Sequence, residues 1–221
     1  MVFKRRTPRS WLRFIAEGFW PRGGWGRAAR YVAHRLQRLP DPAHKISRGI
    51  AAGVFTSFTP FFGFHFILSV ILAYLLRGNV LAALLATFVG NPVTFPFIAS
   101  ISMEIGSTLL GTPALPLPAV IASFSNASVE LWRNFTAIFT PELMHWGRLA
   151  AFVQVVLLPY LVGGLGPGLL AAGAAYFLSH PLIVAYQKQR IKRQKARFEK
   201  KRVKEARRAS KILSRTTDPA E

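Results

Sequence analysis

GNVLAALLATFVGNPVTFPFIASISM, residues 78–103, is a run of 26 residues without a Lys, Arg, Asp or Glu. A helix crossing hydrocarbon needs about 20 mostly apolar residues, so the run is long enough to be one. Its middle argues otherwise, because Asn91, Pro92 and Pro96 interrupt it. A proline inside a helix removes a backbone hydrogen bond and clashes with the preceding turn, at about 3 kcal/mol. The residue before it is pushed towards extended geometry. Non-helical backbone is tolerated at membrane depth only where protein or a water-filled cavity shelters it. The run therefore reads as two half-helices joined by GNPVTFPF, residues 90–97, with the break buried against another part of the chain.

The same pattern recurs on either side. Residues 49–76 are 28 positions without a charged side chain, and residues 149–187 are another 39. The upstream block carries its own break, SFTPFFG at 57–63. Thr59-Pro60 is a helix-start signal, so a first half ends near Phe58 and a second begins at Pro60. That second half closes at Arg77 with Gly78 as its C-terminal glycine, and Asn79 caps the next helix. Gly49 and Gly53 form a GxxxG spacing, extended by Ser57, which lets another helix backbone approach closely. The last block, 149–186, reads as a helical hairpin turning at Gly163–Gly168.

Charge is confined to the ends. Of 29 Lys and Arg residues, 12 fall in 1–48 and 14 in 188–221, leaving Arg77, Arg133 and Arg148 between. Since Lys and Arg favour the cytoplasmic side, both termini are expected there and the number of full crossings is even. Four spans, roughly 49–76, 79–110, 149–165 and 168–186, is the simplest count; re-entrant hairpins in the first two blocks also keep the termini together. The expected fold is an all-α integral membrane protein with about four hydrophobic helical segments. The first two are kinked or re-entrant, and basic amphipathic cytoplasmic helices flank the set.

The chain divides into a basic aromatic-rich segment at 1–39, a membrane domain at 40–186 and a basic tail at 187–221. Within the membrane domain the parts are broken segments 42–77 and 79–110, a loop 111–148 and the hairpin 149–186. The N-terminal segment interleaves Trp11, Trp20 and Trp25 with arginines, a composition suited to the headgroup layer. The expected partners are the lipid bilayer and anionic phospholipid headgroups, together with a second copy or an envelope-biogenesis protein. The basic ends carry no nucleic-acid-binding module.

Half-helix N-termini at Pro60 and near Pro96 would aim partial positive charge at the membrane interior, an arrangement by which transporters hold anions or ions. The side chains that can join such a site are Thr56, Ser57, Thr59, His65, Asn91 and Thr94. The competing reading is that they only satisfy backbone freed by the prolines. His65 and Glu104 stand out as ionisable groups in apolar segments. Enzyme chemistry finds no support: there is no cysteine, HExxH, GxSxG or P-loop, and the only acids between 50 and 180 are Glu104, Glu130 and Glu142. No cofactor or metal is implied.

PAHKISRGIAAGVFTSFTPFFGFH followed by LLRGNVLAALLATFVGNPVTFPF resembles the bacterial membrane-protein family known as domain of unknown function 2062. The shared features are a Gly-rich lead-in (Gly49, Gly53), a Pro-Phe-Phe-Gly-like break (Pro60 to Gly63), an Arg-x-Asn step (Arg77, Asn79) and an Asn-Pro-x-Thr break (Asn91, Pro92, Thr94). The resemblance covers about residues 40–186 and implies a multi-pass protein of the bacterial inner membrane. Some members resemble fusions with glycosyltransferase-type domains, which implies cell-envelope or polysaccharide work. The expected function is binding or translocation of an anionic or lipid-linked substrate at the paired breaks, with a non-enzymatic membrane scaffold as the alternative.

Overall fold

A computed structural model describes the backbone of residues 24–216 and the side chains of residues 24–205. Residues 1–23 of the expected interfacial segment, with Trp11 and Trp20, lie outside the described residues, as do 217–221. The described residues form helices and turns, with no strand. In order they are α1 (Trp25–Gln37), α2 (Ala43–Thr56), α3 (His65–Leu75), α4 (Val80–Ala86) running into a 3-10 turn (Thr87–Val89), α5 (Phe95–Leu110), α6 (Leu117–Ala137), α7 (Gly147–Phe152), a π-helical turn (Val153–Leu157) and α8 (Leu158–Thr216).

Helix α2 stops at Thr56 because its last carbonyls are taken locally. The Thr56 hydroxyl donates to Gly53 O at 2.8 Å, and the Thr59 hydroxyl donates to Thr56 O at 2.7 Å. The chain then turns through residues 57–64, with Pro60 fully buried and Gly63 at φ 84. α3 begins at His65 and not at Pro60, since the intervening residues are used to reverse direction. Its far end lies beside the start of α2: Arg48 Nη1 donates to Leu76 O at 3.0 Å and Asn79 N–H to Lys45 O at 2.8 Å. α2 and α3 are thus a returning hairpin.

The close of α3 also differs from expectation. The N–H of Gly78 bonds Ala73 O at 2.7 Å and that of Arg77 bonds Tyr74 O at 3.0 Å, a Schellman arrangement with Arg77 at φ 51. A non-glycine residue holds the left-handed position because the glycine is needed one residue later. A Cβ on Gly78 would stand 2.7 Å from Gly49 N. Asn79 then caps α4, accepting from Ala82 N–H at 2.6 Å, while its amide group donates to Asp41.

α4 runs alongside α2 in the same direction. Cβ atoms on Gly49 and Gly53 would collide with the carbonyls of Asn79 and Ala83. α5 does not fold back along α4; it packs on α8. The two long blocks therefore have different courses, one returning and one continuing.

The expected hairpin at 149–186 is a single rod. Helical structure is continuous from Gly147 through the π turn to Thr216, with Pro167 and Pro181 inside it. The glycines read as a turn are the face of a helix crossing. A Cβ on Gly163 would stand 2.8 Å from Gly106 Cα and would collide with Ser102 O, and one on Gly168 would meet Phe58 Cβ at 3.0 Å. Further along, Ile183 joins Leu39, Ala43, Ile46 and Ile50 in the largest apolar cluster, and Gln187 Nε2 donates to Asp41 O at 2.9 Å. Among the described residues one helix, Gly147–Glu205, is long and apolar enough to cross a membrane.

Residues 111–148, expected as a loop, contain the 21-residue helix α6. Gly111 ends α5 at φ 65, and Pro116 and Pro118 set the start of α6, where a missing N–H costs nothing. α6 packs its Val120 into a second cluster with Ala99, Met103, Val156 and Tyr160.

Candidate functional site

The two turns meet. The Ser57 hydroxyl donates to Gly53 O at 3.1 Å and reaches Thr87 O at 3.3 Å, and a Cβ on Gly90 would stand 3.0 Å from Ser57 Cβ. The Phe62 ring meets Phe95 edge-on at 4.8 Å and Phe124 at 4.9 Å, so both turns share an aromatic wall with α6. Between them opens a cavity of about 700 Å3. Thr56, Ser57, Thr59 and His65 line it from the first turn, Asn91, Pro92 and Pro96 from the second. α6 supplies Leu117, Ile121, Phe124, Ser125 and Ser128.

Proton accounting decides what this cavity can hold. The hydroxyl protons of Thr56, Ser57, Thr59, Thr87 and Ser128 are all donated to carbonyls of their own or the adjoining segment. What these groups keep is acceptor capacity; the Ser125 hydroxyl and the His65 ring, which hydrogen-bond no described residue, each have a donor left. No Lys or Arg lines the cavity.

Asn91 and Thr94 turn inward on their own backbone. Asn91 Oδ1 accepts from Val93 N–H at 2.8 Å and Thr94 N–H at 3.2 Å, and its amide group donates to Phe88 O at 3.2 Å. Thr94 Oγ1 accepts from Asn91 N–H at 3.1 Å and donates to Val89 O. The first N–H groups of α5 are then mostly spent. Phe95 N–H bonds Asn91 O at 2.8 Å, and Pro96 has none. An anion at this helix start would find few donors.

The other sequence candidates lie elsewhere. Pro60 is buried behind the cavity and Gly63 sits in the turn beside it. Arg77 and Asn79 are at the opposite end of the α2–α3 hairpin, and Gly49 and Gly53 are in the α2–α4 contact. Glu104 is exposed on α5, away from the cavity. The wall supplied by α6 escaped the sequence reading, although Leu117, Ile121, Phe124, Ser125 and Ser128 repeat at helical spacing. The prolines at 113, 116 and 118 drew that segment towards a loop.

A family model described as an uncharacterized protein conserved in bacteria (DUF2062) matches residues 26–192. No curated protein and no solved structure matches the chain.

Proposed function

The chain belongs to this bacterial family, and we propose that it is a multi-pass inner-membrane protein that binds an amphipathic or lipid-linked ligand between its two broken segments. The observation that carries the reading is the cavity itself: two turns that hydrocarbon would not tolerate alone enclose about 700 Å3 with aromatic walls and hydroxyl acceptors. Outside it the helices expose apolar faces, with Phe64 at 66%, Ile67 at 58% and Phe97 at 69%. Such faces on a chain this apolar suit lipid contact.

In this reading the α2–α3 hairpin is re-entrant, α4–α5 crosses once and α7–α8 crosses back. Lys45, Arg48, Arg77 and Lys188 then share the cytoplasmic end with both basic termini, in accord with the positive-inside rule. Two crossings replace four, and residues 111–146 face the other side. The absence of Lys and Arg from the lining, with most hydroxyl protons spent, favours an apolar chain bearing a neutral or donor group over an anion inside the cavity. The role is binding, without catalysis.

One observation favours the scaffold alternative: the side chains of Asn91 and Thr94 serve their own turn. The two readings separate with a photoreactive lipid probe, its diazirine on the acyl chain, in vesicles holding the full chain. Crosslinks to Phe62, Phe95 and Phe124, abolished in the cavity-filling pair Ile121→Trp and Ser125→Trp with unchanged unfolding, support ligand binding. Crosslinks confined to the outer faces of α3 and α5 leave the scaffold.

A further inference from the structure

Between residues 50 and 187 the chain has only six charged side chains: Arg77, Glu104, Glu130, Arg133, Glu142 and Arg148. Four of the six line one open cavity of about 720 Å3 at the α6–α7 end, together with Asn134 and His145. Placing so large a share of a scarce resource in one place calls for a physical reason.

The frame of this cavity is held by two buried side chains that bond backbone across the chain. Glu130 is 7% exposed, and its carboxylate accepts the N–H groups of Arg148, at 3.2 Å, and of Leu149. It thereby caps the start of α7 from across the chain, where its charge meets the positive end of a long helix. Asn134 is 4% exposed and clasps His145 twice, accepting its N–H at 2.9 Å and donating to its carbonyl. Both buried groups are fully committed to holding the connecting segment.

The guanidinium groups are not. Neither the Arg133 nor the Arg148 side chain makes a hydrogen bond or ion pair with any described residue, although two carboxylates line the same space. Glu130 is occupied by backbone amides, and Arg133 and Arg148, both exposed residues on the cavity lining, have guanidinium groups with no acceptor among the described residues. A planar guanidinium matches phosphate oxygens in bidentate fashion, and a pair of them on a fixed frame suits one phosphate group. Leu143 on the cavity lining is 83% exposed, and the same end of the molecule exposes Trp146 next to His145 and, on the opposite face of α6 and just beyond its end, Trp132 and Phe139. Large apolar and aromatic side chains of this kind sit at headgroup level.

We propose that this cavity binds the phosphate of a lipid headgroup, with Arg133 and Arg148 as the anion ligands and Glu142 placed to accept from the headgroup's ammonium or hydroxyl. It is separate from the cavity between the turns: Ile121, Ser125 and Ser128 lie on one face of α6, and Glu130, Arg133 and Asn134 on another. The lipid as source rests on the membrane reading above; the phosphate chemistry does not.

The test titrates the full chain in an uncharged detergent with short-chain phosphatidylethanolamine, short-chain diacylglycerol and inorganic phosphate. Phosphatidylethanolamine should bind, and Arg133→Gln or Arg148→Gln should each weaken it about tenfold or more. Arg77→Gln, at the other end, should not. Since neither guanidinium bonds the protein, unfolding midpoints should stay put; Arg133→Lys, which keeps charge but loses the fork, is the second probe. Arginine-dependent binding of inorganic phosphate without the lipid supports the phosphate site and overturns the lipid source. Equal binding of diacylglycerol, or indifference to both arginine substitutions, overturns the proposal and leaves the crosslinking outcome at the other cavity untouched.

Discussion

Two substitutions three residues apart should move stability in opposite directions. Gly163 faces α5 in the helix crossing, and a Cβ there would stand 2.8 Å from Gly106 Cα. Ordinary carbon contacts lie at about 3.5–4.0 Å, so Gly163→Ala forces α5 and α8 apart by about 1 Å. The obstructing atoms are backbone and cannot rotate away, which places the cost at the upper end of the ~1–3 kcal/mol usual for overpacking. Gly166 is also helical, but a Cβ there meets nothing within 4 Å. Gly166→Ala should therefore gain the helix-propensity difference, about 0.8–1 kcal/mol. With the same propensity gain credited to Gly163→Ala, it should lose about 2 kcal/mol, and the two variants should differ by about 3 kcal/mol. The assay is titration of the detergent-solubilised protein with a denaturing detergent, followed by far-ultraviolet circular dichroism. If both variants are stabilised alike, the close α5–α8 crossing is wrong; if Gly166→Ala is the damaging one, as a turn would require, the continuous rod is wrong.

Asn91→Ala and Thr94→Val each remove bonds that close the second turn and should cost about 1–2 kcal/mol apiece, with less than additive loss in the double variant, by the same titration. Additive or negligible losses would detach these residues from the turn. Asn79→Ala removes a helix cap and the contact with Asp41, and should also cost about 1–2 kcal/mol; Asp41→Ala should couple to it in a double-mutant cycle. In the cysteine-free chain, a Cys at the exposed position 77 should be labelled only from the cytoplasmic side and one at 143 only from the other. Outside labelling of position 77 would end the re-entrant reading.

Helix as the only regular secondary structure among the described residues, and helices that stop at both proline clusters, follow from side-chain chemistry within a few residues, and that is why they are legible in the sequence. Pro92, Pro96, Thr59 and Asn79 act on their own turn of backbone. What misled the reading depends on partners far along the chain. Gly163 to Gly168 have the composition of a turn, and only the arrival of Phe58, Ser102 and Gly106 reveals them as a contact face. Gly78 looked like the left-handed residue, yet closeness to Gly49 moves that role to Arg77. The shared cavity was foreshadowed by Thr56, Ser57, Thr59, His65 and Asn91. Its third wall was hidden behind prolines that start a helix as readily as they end one. The charged cavity had a signal that composition alone offers: Glu130, Arg133, Glu142 and Arg148 are close neighbours in a region otherwise nearly free of charge.

The bond from Gln187 to Asp41 joins residues 146 positions apart, and the glycine crossing joins α5 to a helix made more than 50 residues later. The α2–α3–α4 unit closes on itself as soon as Asn79 emerges. The grooves over Phe55, Phe58 and Gly106 must wait for α8. At about 5–20 residues per second, the interval between synthesis of Gly106 and of Gly163 is about 3–11 s. For that time the nascent protein holds an open seam of small residues and bare carbonyls, which, in the membrane reading proposed above, the insertion machinery or lipid would occupy until α8 is threaded into place.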